Sequence, residues 1–92
     1  MPNERNFTLS YNRYCQNNKL IIQQPSTNFV GCFFCKKKYD SNLVTIFYLN
    51  TDAACPMCHI DSIVAWQEIP GNTEAEKFQQ LKNWYNEGFS TD

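Results

Sequence analysis

Phe7, Leu9 and Tyr11 alternate with Thr8, Ser10 and Asn12. That period of two marks a strand with one buried face. Asn17-Asn18 offers a turn, because asparagine tolerates left-handed backbone. Leu20, Ile21 and Ile22 then make a second apolar run, closed by Pro25. The pattern predicts an N-terminal β-hairpin over residues 1–28, with Ser26-Thr27-Asn28 as connector.

Residues 29–71 carry four of the five cysteines and two more apolar stretches. Leu43–Leu49 (LVTIFYL) is rich in β-branched and aromatic residues, which favour strands. Ile60, Ile63, Val64 and Trp66 predict a further strand, and Pro70-Gly71 a turn. The spacing changes again over residues 72–89. Thr73 and Glu76 have the separation of a capping box. Phe78, Leu81, Trp84 and Tyr85 follow at helical spacing and line one apolar face. Gly88 fits the left-handed residue that ends many helices. The predicted fold is therefore α+β: a small β-rich ribbon, an N-terminal hairpin and one C-terminal helix, in a single domain. The alternative is a treble clef, in which a helix starts near Pro56.

Size changes this picture. With 92 residues the chain buries only about 60–65% of its unfolded surface, so the core is thin and a staple is expected. Seven Phe, five Tyr and two Trp let that thin core bury much area with few residues. The formal net charge is −1, unlike the strongly basic balance of a general nucleic-acid binder. Lys36-Lys37-Lys38 is the one basic cluster. No apolar run approaches the roughly 20 residues of a membrane span, and residues 1–14 lack the apolar centre of a signal peptide. The expectation is a soluble, cytoplasmic protein without a membrane partner. In a reducing compartment five cysteines point to metal binding rather than to disulfides.

The cysteines are arranged as Cys32-Phe-Phe-Cys35, nineteen intervening residues, then Cys55-Pro-Met-Cys58. Two C-x-x-C turns can aim four sulfurs at one point, and zinc prefers four ligands in a tetrahedron. A set of four thiolates leaves no open position, so one structural Zn²⁺ is expected rather than a catalytic ion. Three other readings compete. Four buried free cysteines would waste the spacing. A dithiol redox pair wants a βαβ setting that this chain does not offer. Cys55-Pro-Met-Cys58-His59 matches c-type haem attachment literally, but leaves Cys32 and Cys35 unexplained. His59 is expected to be exposed or bonded near the site, and Cys15 to be a small apolar residue of the first hairpin. The lysines after Cys35 could offset the thiolate charge or simply face solvent.

Gly31-Cys-Phe-Phe-Cys35, with Ala53-Ala-Cys-Pro-Met-Cys-His-Ile-Asp-Ser-Ile-Val64 and the aromatic series Phe78, Leu81, Trp84, Tyr85, resembles a group of small, uncharacterised cytoplasmic zinc-ribbon proteins of bacteria and phages. The resemblance covers residues 29–89, about two thirds of the chain, and is most specific over Ile60-Asp-Ser-Ile-Val64. It implies a zinc ribbon in an intracellular setting, the host cytoplasm for a phage protein, and no activity. One departure stands out. Zinc knuckles usually place Gly soon after the second cysteine, where the backbone turns left-handed; here Lys36 and His59 hold those places.

Three functional classes follow. The first is a protein-interaction module or regulator, with surplus aromatics serving a protein partner. A phage-encoded inhibitor of a host machine would belong here, on the resemblance alone. The second is a nucleic-acid-binding ribbon of the kind used in transcription, in which Lys36, Lys37 and Lys38 meet phosphates while Phe33, Phe34 or Tyr39 stack on bases. The third, an enzyme, is not expected. One histidine and a saturated metal site give no convergent catalytic set, and His59, Asp61 and Ser62 are sequence neighbours, which seldom form a triad.

Overall fold

A computed structural model describes residues 12–89. Two single-turn helices come first, α1 (Asn12–Cys15) and α2 (Lys19–Ile22). The strands β1 (Phe29–Cys32) and β2 (Lys37–Asp40) follow, then a 3₁₀ turn at Ser41–Leu43. Next come β3 (Phe47–Tyr48), β4 (Asp52–Ala53) and β5 (Ile63–Ala65), a second 3₁₀ turn at Trp66–Glu68, and the long helix α3 (Glu74–Phe89). One antiparallel sheet has the order β2-β1-β5, and β3 pairs with β4 in a second, two-stranded one. The α+β class with one C-terminal helix matches the expectation. No helix begins near Pro56, where residues 56–58 form a turn, so the treble-clef placement does not occur.

The central strand β1 alternates strictly. Val30 and Cys32 face one core cluster, together with Ile63 and Ala65 of β5, Ile22, Val44, Ala53 and Cys55. On the opposite side of the sheet Phe33 and Val64 join Cys15, Ile69, Leu81 and Trp84. Two small cores thus share one sheet, the first holding Cys32, Cys35, Cys55 and Cys58 and the second closed by α3. Gly31 faces the second core: a Cβ there would meet Ile69 Cδ1 at 2.8 Å and Trp66 Cε3 at 3.2 Å. Trp66 can cover β1 only because that position has no side chain.

Helix α3 follows the sequence reading closely. Thr73 Oγ1 accepts from the Glu76 amide at 3.1 Å. The Glu76 carboxylate reaches back one residue further than a standard capping box, to the Asn72 amide at 2.6 Å. Leu81 and Trp84 are buried, Phe78 meets Trp66 with ring centroids 5.2 Å apart, and Tyr85 meets Phe34 at 5.6 Å. Gly88 does not end the helix, which runs through it to Phe89.

The predicted N-terminal hairpin is corrected where the structure describes it. Phe7, Leu9 and Tyr11 lie outside the described residues. Leu20–Ile22, read as a strand, is a helical turn with i→i−4 bonds from Ile22 N to Asn18 O (2.9 Å) and from Gln23 N to Lys19 O (3.0 Å). Three apolar residues in a row fit either state, and tertiary contacts select the helix. Ile22 enters the cysteine-side core while Leu20 faces solvent. The choice depends on Asn18. Its buried amide donates to Ile63 O at 2.8 Å and Tyr14 O at 3.2 Å, and its carbonyl oxygen accepts from Ala53 N at 3.0 Å. One side chain thereby joins α1, β4 and β5, so residues 14–22 pack directly on the rest of the described domain.

Two other predicted strands are shorter than expected. Of Leu43–Leu49, only Phe47 and Tyr48 pair in a ladder, because Asp40 caps the 3₁₀ turn by accepting from Asn42 N at 2.8 Å. Leu49 and Asn50, both at positive φ (54° and 63°), then turn the chain within the three-residue connection 49–51 into β4, where Thr51 N donates to Tyr48 O at 3.0 Å; positive φ at both central positions is the mark of a type I′ turn. Of Ile60–Trp66, Ile63–Ala65 is strand and Trp66 opens a 3₁₀ turn.

Candidate metal centre

Each C-x-x-C pair forms a knuckle built on the same local bonds. In the first, Cys35 N donates to Cys32 Sγ at 3.2 Å, and Lys36 N closes the turn on Cys32 O at 2.7 Å. In the second, Met57 N and Cys58 N donate to Cys55 Sγ at 3.3 and 3.4 Å, and His59 N closes on Cys55 O at 3.0 Å. The departures at Lys36 and His59 leave this geometry intact. Both residues take the left-handed backbone usually given to glycine, with φ of 61° and 64°.

The two knuckles face each other. The Sγ atoms of Cys32, Cys35, Cys55 and Cys58 all lie within 4.8 Å of one another. Cys32 and Cys58 are 3.7 Å apart, and Cys35 and Cys55 3.8 Å. A disulfide needs about 2.05 Å, and all four cysteines are free. Four sulfurs each about 2.3 Å from one ion stand about 3.8 Å apart along the edges of a tetrahedron. The cluster therefore has the dimensions to hold a metal ion. The four residues expected as ligands are the four brought together, and the fifth is elsewhere: Cys15 lies buried in the α3-side core.

Burial divides the four clustered cysteines. Cys32 and Cys55 are buried, Cys35 and Cys58 half-buried. Burial pushes the Cys32 thiol well above its ordinary value, against the opposing pull of its bonds with Ser62 and the Cys35 amide. Burial also raises Cys58. At Cys55 burial acts in the same direction, but the Cys58 and Met57 amides and the neighbouring sulfurs outweigh it and hold the thiol below the ordinary cysteine value. A bound cation would favour the thiolates throughout.

The sequence reading passed over Ser62 as a partner of the sulfurs. It is fully buried, and its Oγ lies 2.9 Å from Cys32 Sγ and 3.8 Å from Cys58 Sγ. Its hydroxyl is thus engaged with the cysteines. His59 is exposed, as expected, and its carbonyl accepts a hydrogen bond from the Tyr48 hydroxyl.

The candidate contact residues separate. Phe33 is buried, edge-on to Trp84 with centroids 6.2 Å apart, which removes it from the surface. Phe34 is half-buried against Tyr85. Lys36 lays its ammonium over the Tyr85 ring at 3.9 Å. Lys38 sits between Phe29 (4.3 Å) and Trp66 (4.7 Å) and pairs with Glu74. Lys37 is exposed. Two of the three lysines are thereby held against aromatic rings of the fold.

No helix among the described residues is long and apolar enough to cross a membrane. Set against models of known protein families, curated proteins and solved structures, the chain matches none of them.

Proposed function

We propose that the chain is a zinc protein in which one structural Zn²⁺, held by Cys32, Cys35, Cys55 and Cys58, fixes a small interaction module for a protein partner. The carrying observation is the sulfur cluster, with edges of 3.7 and 3.8 Å close to those of a zinc–thiolate tetrahedron. An all-sulfur donor set is soft, which favours zinc among the common divalent ions over magnesium or calcium. Four protein ligands leave no position for substrate or water, so the metal serves the fold and the protein is not an enzyme.

Two observations support a protein partner over nucleic acid. Leu43, Ile46 and Met57, each at least half exposed, stand with Tyr48 around the second knuckle. Leu43 and Ile46 border a cavity of about 180 Å³ with Pro56 and His59. Exposed apolar residues grouped in this way suit a protein contact. Meanwhile Lys36 and Lys38 are drawn onto aromatic rings, away from the role of free phosphate contacts.

The test has two parts. The purified protein should carry one zinc per chain. Capture of the tagged protein with bound partners, with and without nuclease, should recover a stoichiometric protein that survives nuclease. Recovery that vanishes with nuclease would replace the protein partner by nucleic acid, and absence of metal would remove the zinc.

A further inference from the structure

We propose that Ser62 is a positioning residue of the metal centre: its hydroxyl donates a hydrogen bond to the Cys32 sulfur and so sets the affinity and electronic character of the ion held there. This inference rests on the four-cysteine metal reading above.

The geometry is specific. Ser62 Oγ is 2.9 Å from Cys32 Sγ and 3.8 Å from Cys58 Sγ, and those two sulfurs are themselves 3.7 Å apart. The hydroxyl therefore sits beside the edge that joins one sulfur of the first knuckle to one of the second. The bonds to Cys55 come from the backbone amides of its own knuckle. Cys32 also receives an amide bond, from Cys35, and adds a side-chain donor 30 residues away.

The backbone holds Ser62 in place. Phe33, the residue after Cys32, donates its N–H to Ser62 O at 3.1 Å, which extends the β1–β5 register by one pair beyond Cys32↔Ile63. Ser62 N in turn donates to Ile60 O at 2.7 Å. The residue is fully buried, so water does not compete for the hydroxyl. A hydroxyl has one proton to give. Ile60 O, at 3.4 Å, is the weaker acceptor, while a metal-bound thiolate is charged and attracts the proton more strongly. Four thiolates on a divalent ion carry a formal charge of about −2, and each donor aimed at a sulfur draws charge off it.

The test compares wild type with Ser62→Ala by chelator competition and by cobalt(II) substitution. The variant should still bind one ion but about 10- to 100-fold more weakly. Its sulfur-to-cobalt charge-transfer band should move to longer wavelength, because a sulfur without its donor gives up an electron more readily. Wild-type affinity, or weaker binding with an unmoved band, would overturn the proposal; the latter would mean Ser62 merely fills space. Should Ser62→Ala fail to fold, the wild type decides. Loaded with an NMR-active cadmium isotope, it should show a Ser62 hydroxyl proton that exchanges slowly and couples to the cadmium through Cys32. Absence of that coupling overturns the proposal. A wild type that takes up no metal overturns the underlying metal reading instead, and this one with it.

Discussion

Lys36 and His59 occupy equivalent places in the two knuckles and share one backbone conformation, φ 61° and 64°, although neither is a glycine. Each follows the second cysteine of its pair, and each donates its amide to the carbonyl of the first. The left-handed region costs a residue with a Cβ roughly 1–2 kcal/mol. The amide bonds and the convergence of the sulfurs hold it there.

That strain separates two substitutions. His59→Gly should stabilise the domain by about 0.5–1 kcal/mol, because the side chain is exposed and the Tyr48 bond to its carbonyl survives; relief of strain is partly offset by the freer unfolded chain. Lys36→Gly should be nearly neutral, because the same relief is set against loss of the ammonium–Tyr85 contact, worth about 0.5–1 kcal/mol at a partly exposed site. Thermal denaturation of the two variants checks the difference, and a destabilised His59→Gly would contradict it.

Loss of one sulfur should have a far larger effect. Cys35→Ser, or treatment with a strong chelator, should release the metal and abolish or greatly lower the melting transition, since metal binding and folding are coupled in small sites of this kind. Metal content and melting curves measured on the same samples provide the check. A variant that retains both would mean that Cys35 is not a ligand.

Asn18 should matter for stability without touching the sulfurs. Asn18→Ala leaves Ala53 N and Ile63 O without the partners that now lie 3.0 and 2.8 Å away. Two buried groups left unsatisfied cost roughly 2–5 kcal/mol together. Chemical denaturation should show that loss while one ion per chain is retained. A cost under about 0.5 kcal/mol, as for an ordinary surface position, would show that Asn18 does not join the segments.

Cys15 gives the chain a dependence on alkaline pH. Burial, with the charges of Asp61 and Asp52, pushes its thiol from 9.0 up to about 12. Between those values the unfolded chain has lost the proton that the folded chain keeps. The folded state then binds more protons, and stability falls as pH rises. Cys15→Ala removes this contribution, so the stability gap between wild type and variant should narrow as pH rises above about 9. Denaturation across that range checks it, and a gap independent of pH would contradict it.

Much of the site was legible in the sequence because it is locally encoded. Two residues between cysteines suffice to bring an amide onto a sulfur, and this happens in both pairs whatever surrounds them. The α3 cap and its apolar face are local for the same reason: Thr73, Glu76, Leu81 and Trp84 lie within a few turns of one helix. The shortened strands were less legible. Leu43–Leu49 has strand composition throughout, yet Asp40 caps a 3₁₀ turn at its start and Leu49-Asn50 turns the chain at its end, leaving two residues for the ladder.

The α+β class, the two cysteine pairs and the terminal helix were legible in the chain alone, because each pair and the helix depend on spacing over a few residues. Long-range packing settled the rest: that the two knuckles meet, that Leu20–Ile22 is helical, that Phe33 is core, and that Ser62 is bonded to Cys32. Those outcomes depend on partners far away in the chain: Asn18 bonds across 45 residues to Ile63, and Ser62 across 30 to Cys32. Three apolar residues, or one serine, are compatible with several local states of similar energy. A buried polar group that must find its partner selects among them.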